Sequence, residues 1–173
     1  MNIESLHIRF TKRGGRSQLR CIRADGTAES ADVGANVPYH DLAHFVVERR
    51  WALDQGFYGN IARGCTLAQL SDTDFIRGLG PQSLQAEVLA RGLQSVASGS
   101  CTAALLAQLV NTELAHWQIP LVEAPAAMVR AVLTEFTDLT ARYDALGDGE
   151  SLSLEFGLTH EHTHATTAAE HFH

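Results

Sequence analysis

A Gly14-Gly15 pair, flanked on both sides by residues that alternate between apolar and polar, is the strongest local constraint in this chain. Two adjacent glycines readily supply the positive φ angles of a two-residue hairpin turn, because they carry no Cβ to clash with the backbone. Pairing Gly14 with Gly15 across the turn sets Phe10 opposite Leu19, Ile8 opposite Cys21 and Leu6 opposite Arg23. Nearly all of one face is then apolar, while His7, Arg9, Gln18 and Arg20 fall on the other. A slip of one residue would mix the faces, so the pattern itself specifies the register.

The far end of the chain returns to a period of two. Leu152, Leu154, Phe156 and Leu158 alternate with Ser153, Glu155 and Gly157, as in a half-buried strand. Between these ends the period is helical. Pro38 can open a helix that runs to about Gln55, since its missing N–H costs nothing in a first turn. Further helices are expected over Ser83–Ala97, with Leu84, Val88 and Leu93 in phase, and over Thr102–Trp117, with Leu105, Leu106, Leu109 and Val110. A last one starts at Pro125, carries Val129, Val132, Leu133, Phe136, Leu139 and Tyr143, and ends at Gly147. The expected fold is α+β: a small antiparallel sheet, made of the N-terminal hairpin and the C-terminal strand, packed against a layer of about four helices. The pattern over Thr27–Val33 leaves open whether it adds a strand. No linker divides the chain, so residues 1–158 read as one α+β domain and 159–173 as a His-rich tail.

Charge excludes some functions. The formal net charge of −7 over 173 residues argues against a global binder of nucleic acid or anionic membrane. Cys21, Cys65 and Cys101 are odd in number and form no CxxC pair, so they read as buried thiols in a reducing compartment. Met1–Phe10 lacks the apolar core of a secretory signal, and the apolar stretches around Cys101–Val110 and Ala124–Leu133 fall short of the roughly 20 residues of a span. A cytoplasmic location is expected. Lys12 is the only lysine, and arginine with abundant alanine points to a GC-rich bacterial source.

The segment Pro38-Tyr39-His40-Asp41-Leu42-Ala43-His44-Phe45-Val46-Val47-Glu48 carries the most chemistry. At about 100° per residue, His40, His44 and Glu48 lie within about 80° of one another and form one stripe. Two imidazoles and a carboxylate are a ligand set for zinc first, and also for iron, manganese or nickel, with positions open to water or substrate. Leu42, Phe45, Val46 and Leu53 lie opposite, while Ala43, Val47 and Trp51 flank the histidines, so the helix reads as enclosed and its polar groups need partners. Asp41 can cap the first turn, orient a ligand histidine, or act as the unliganded acid that moves a proton during catalysis. The plainer alternative is a structural stripe, with the histidines bonded to carbonyls or acids and Glu48 paired to an arginine.

The PxHDLxHxxVE run, with the IRFTKRGGR hairpin, resembles a family of uncharacterised small bacterial proteins over roughly the first third of the chain. That resemblance implies no activity. The HDxxH core, His40-Asp41 and His44, is similar to the zinc motif of the ubiquinone-biosynthesis accessory family, where a glutamate follows the second histidine after eleven intervening residues. The corresponding position here is Gly56, which leaves Glu48 as the replacement ligand on the same helical face.

Other groupings are weaker. Glu113 and His116 share a helical face, as do ExxH ligand pairs, but a ferritin-like centre needs a second pair and two further glutamates. The tail holds His160, His162, His164, His171 and His173, a tract able to bind transition metals or to supply another ligand. Residues 1–23 carry a local charge of +5, from Arg9, Lys12, Arg13, Arg16, Arg20 and Arg23 against Glu4, without the interleaved aromatics of a single-strand binder. Two functions follow as expectations: metal-assisted hydrolysis of a small-molecule substrate at His40, His44 and Glu48, or a non-enzymatic module whose basic hairpin engages an acidic protein partner. A homodimer is compatible with either. No GxSxG elbow supports a serine hydrolase.

Overall fold

The hairpin forms in the register that its alternation specifies. In the computed structural model, which describes residues 5–157, Gly14 and Gly15 take φ of 55° and 76° between β1 (Ser5–Arg13) and β2 (Arg16–Arg23). Phe10 faces Leu19, Ile8 faces Cys21 and Leu6 faces Arg23. The segment left open forms β3 (Ala28–Val33) along the outer edge of β2, and β4 (Ser151–Gly157) pairs with the other side of β1. The four-stranded antiparallel sheet has the order β3-β2-β1-β4. Leu6, Ile8, Phe10, Leu19, Cys21, Leu152, Leu154 and Phe156 are buried on its inner face. Of the three cysteines expected to be buried only Cys21, on this face, is; Cys65 and Cys101 lie in loops and are half-buried. Leu158, assigned to the last strand from sequence, lies outside the described residues, as does the His-rich tail.

Helices cover that inner face. They are α1 (Val37–Arg50), α2 (Phe57–Ala62), α3 (Thr73–Arg77), α4 (Pro81–Ala97), α5 (Leu106–His116) and α6 (Ala126–Asp144). Helix α1 is the hub, packed against α2, α4, α6 and β4. Phe45 meets Tyr58 and Phe156 at ring separations of 6.3 Å each, which ties α1 and α2 to the sheet. The hairpin tip docks on the α6–β4 connection, where Lys12 Nζ donates to the carbonyls of Asp144 and Leu146 and Gly14 N donates to Asp148. A cation is well placed there, because the last carbonyls of α6 lack helical partners.

Two helix limits differ from expectation. Helix α1 stops at Arg50, not near Gln55, because Ala52 takes φ of 50° and the chain turns back: Leu53 N donates to Glu48 O and Ala52 N to Arg49 O. This is a Schellman closure made without the usual glycine, sealed by buried Leu53. Helix α5 closes in the same way around Gln118, at φ of 56°, and begins at Leu106, four residues later than expected. Its later start and actual phase bury Leu106, Val110 and Leu114, while Leu105 and Leu109 stay half exposed.

Candidate metal centre

Helix α1 carries His40 and His44 one turn apart, and α4 packs against it with Glu87. His40 Nε2 lies 3.3 Å and His44 Nε2 3.0 Å from one and the same atom, Glu87 Oε2. The ligand atoms of the three residues all lie within 4.8 Å of one another, close enough to hold a metal ion.

The other nitrogen of each ring is held from behind. His40 Nδ1 is 2.9 Å from Gln94 Oε1, and His44 Nδ1 is 3.0 Å from Glu48 Oε1. Both partners are acceptors, so each Nδ1 carries a proton and each Nε2 is the atom that faces Glu87. An outer acceptor on one ring nitrogen is what fixes the tautomer and orientation of a ligating histidine. Glu87 is itself steadied by Arg91 Nε, 3.2 Å from Oε1, and Arg91 reaches on to Glu113 at 2.7 Å.

Glu48, the carboxylate nominated by helical spacing, is placed differently. It is fully buried and turned toward α2, where Oε1 accepts from Phe57 N at 2.7 Å and Oε2 from Tyr58 N at 2.9 Å and Gly59 N at 3.3 Å. The first turn of a helix leaves its N–H groups without partners, and a buried carboxylate needs donors, so each satisfies the other. Gly56 makes the room: a Cβ there would lie 2.4 Å from Glu48 Cδ. Glu48 therefore orients His44, and Glu87 is the carboxylate that completes the group. Sequence reading missed Glu87, although an acid set among Ala86, Val88, Leu89 and Ala90, all buried, is a signal in itself.

Electrostatics follow from this geometry. Hydrogen bonds from His40 and then His44 hold the Glu87 carboxyl far below the usual range. Burial pushes His44 down, but the bonds to Glu48 and Glu87 outweigh it and hold His44 at about 9. In metal-free protein the folded state therefore keeps a proton that the unfolded chain begins to lose near 6.5. The stability this contributes is complete below that pH and is lost as pH rises through about 9. Urea denaturation of metal-free protein from pH 6 to 10 should show this decline, and Glu87→Gln should flatten it.

Asp41, the expected proton carrier, is buried at 6% exposure and lines the cleft beside His40, His44 and Glu87. It does not cap the helix, whose N-cap is Asn36, and Gln94 and Glu48 rather than Asp41 orient the histidines. No hydrogen-bond donor among the described residues reaches its carboxyl, and burial pushes its pKa up to about 6. A raised carboxyl contributes stability that is present below 3.8 and is lost as pH rises through about 6. In metal-free protein Asp41→Asn should therefore gain about 1 to 3 kcal/mol at pH 7.5 and nothing below pH 4, read from denaturation midpoints. Tyr58 is fully buried, and its hydroxyl also lacks a hydrogen-bond partner among the described residues.

The group opens on a cleft of about 750 Å³, within the size range of small-molecule sites. Most of its wall is apolar, from α2, the 66–80 segment, α4 and the end of α5.

The other sequence groupings do not converge on this centre. Glu113 pairs with Arg91, while His116 packs edge-on against Trp117 at 5.3 Å, so the two do not act as a ligand pair. In the basic hairpin, Lys12 is taken up by α6 and Arg23 by the carbonyls of Ile61 and Cys65, whereas Arg9, Arg13, Arg16 and Arg20 stay exposed. No helix is long and apolar enough to cross a membrane among the described residues. No protein-family model, curated protein or solved structure matches the chain.

Proposed function

We propose that the chain binds one divalent transition metal ion, zinc first, through His40 Nε2, His44 Nε2 and Glu87, and uses it for metal-assisted hydrolysis. The observation that carries this reading is the pairing of outer and inner contacts: Gln94 and Glu48 hold the two Nδ1 atoms, and both Nε2 atoms face one carboxylate oxygen. The outer partners fix which nitrogen of each ring is presented to Glu87, as a ligating histidine requires. The likeness of the HDxxH core to a zinc motif supports zinc, as does the nitrogen-rich donor set.

His40, His44 and Glu87 would hold the ion, which would supply Lewis-acid chemistry: a lowered pKa for a bound water, toward about 7, and polarisation of a substrate carbonyl. Asp41, lining the same cleft, would take the proton of the attacking water and return it to the leaving group as the scissile bond breaks. Its lack of donors leaves the carboxyl free for that transfer.

The test is metal content by plasma mass spectrometry on full-length protein purified without chelators, against His40→Ala/His44→Ala. The tail histidines are common to both, so the difference isolates the helical centre. One ion per chain lost in the variant is the expected result; equal content in two folded proteins would overturn the proposal.

A second reading draws on one observation. Arg9 lies directly opposite Arg20 on the open face of the sheet, with Arg13 and Arg16 at its tip, and none has an acidic partner among the described residues. Like charges set opposite one another are destabilising, which favours a face that meets an acidic protein partner. Protein that never binds metal, together with an unfolded His40→Ala/His44→Ala variant, would favour this module.

A further inference from the structure

We infer that the cleft takes a neutral acyl compound with an extended apolar body, an ester or amide of a medium-length chain, rather than a phosphate ester. This rests on the metal reading of the same site and names its substrate class. Shape comes first: the cleft of about 750 Å³ is walled by Phe57, Leu70, Ile76, Leu84, Trp117 and Ile119. Ile76 is 39% and Trp117 58% exposed at the wall, apolar surface that a chain lying in the cleft would remove from water.

Charge decides the reacting group. Phosphate sites are built from arginine, lysine or clustered backbone N–H groups. Among the described residues the one arginine lining this cleft, Arg77, has a side chain 75% exposed and is paired with Asp74 at 3.1 Å. Two carboxyl groups line the cleft, Glu87 and Asp41, whose combined charge would balance a divalent ion. A dianionic phosphoryl group would find no positive surplus there. A neutral carbonyl needs none, since one metal ion polarises it. Water then adds to the carbonyl carbon, the carbon–oxygen or carbon–nitrogen bond breaks, and the proton taken by Asp41 leaves with the alcohol or amine.

The buried carboxyl of Asp41 supplies the independent observation. A carboxylic residue only 6% exposed and without a donor among the described residues is costly, and its open side is the cleft. Placed beside two imidazoles and under an apolar channel, it marks the cleft as a reaction chamber rather than a packing defect.

Calorimetry on full-length, zinc-loaded protein tests the inference with three probes: acetohydroxamate, octanohydroxamate and octylphosphonate. Zinc retention by the wild type is read before any probe is added. Failure to retain zinc would refute the metal centre itself and is thereby distinguishable from failure of the substrate class. Given zinc, octanohydroxamate should bind at least ~100-fold tighter than acetohydroxamate, because each buried methylene adds about threefold to fourfold. It should also bind more tightly than octylphosphonate. Ile76→Asp, a change at the exposed wall, should cut the chain-length effect about 10-fold or more while zinc content stays unchanged. Equal affinity for the two hydroxamates, or tightest binding of the phosphonate, would overturn the assignment.

Discussion

Glu87→Ala is expected to abolish stoichiometric zinc binding while the chain stays folded, with affinity reduced by more than ~100-fold in a chelator competition. The magnitude follows from a lower bound: loss of an outer partner of a metal ligand typically costs about 10- to 100-fold, and Glu87 faces both ligand nitrogens itself. The fold should survive because the Glu87 side chain is 41% exposed and its removal leaves the apolar contacts of α4 in place. Glu48→Gln is the informative contrast. It keeps the shape but sets an amide NH2 against N–H donors on one side, so it costs some stability and loosens the hold on His44 Nδ1, and should lower affinity only within the range of an outer partner. If Glu48→Gln abolished zinc binding and Glu87→Ala left it intact, the roles assigned to the two carboxylates would be reversed.

The second large effect is on folding. Glu48→Ala should destabilise the protein by about 3 to 5 kcal/mol, the usual cost of breaking a buried charged network. Three backbone N–H groups, those of Phe57, Tyr58 and Gly59, lose their acceptor together, and His44 loses the group that holds its ring. Gly56→Ala reaches the same network from the other side. Its Cβ would press on Glu48 Cδ at 2.4 Å, and Glu48 cannot swing away without giving up its donors. A cost of about 1 to 3 kcal/mol is expected, as for an overpacked core, with metal affinity falling in parallel. Denaturation midpoints with and without zinc would separate the two effects, since zinc bound only to the folded state raises the midpoint by mass action. A neutral Gly56→Ala would show that Glu48 is not anchored as described.

Both predictions concern residues whose importance the linear pattern shows unevenly. The stripe of His40, His44 and Glu48 was legible because a 3.6-residue period puts every fourth residue on one side. The same reasoning could not tell that two faces of that stripe part company. Glu48 turns toward the first turn of α2 because that turn offers three free N–H groups, and α2 is too short to announce itself by periodicity. Glu87 was hidden for a different reason: it stands 43 residues from His44, and nothing local states where α4 packs on α1. The end of α1 was misread because Ala52 adopts the left-handed conformation that glycine ordinarily signals, whereas α5 ends at Trp117 as expected and only its start was misplaced.

Short-range rules acted where the cause is short-range. Gly14-Gly15 and the alternating flanks dictated the hairpin and its register, the final alternation dictated β4, and proline with in-phase apolar residues dictated the long helices, because each depends on sterics and on one buried face. The choice of β1 over β2 as the neighbour of β4, the addition of β3, the pairing of Glu87 with two histidines and the cleft above them were decided only by the tertiary structure. Packing brings together residues far apart in sequence, and the cost of burying polar groups without partners then selects which carboxylate each imidazole meets.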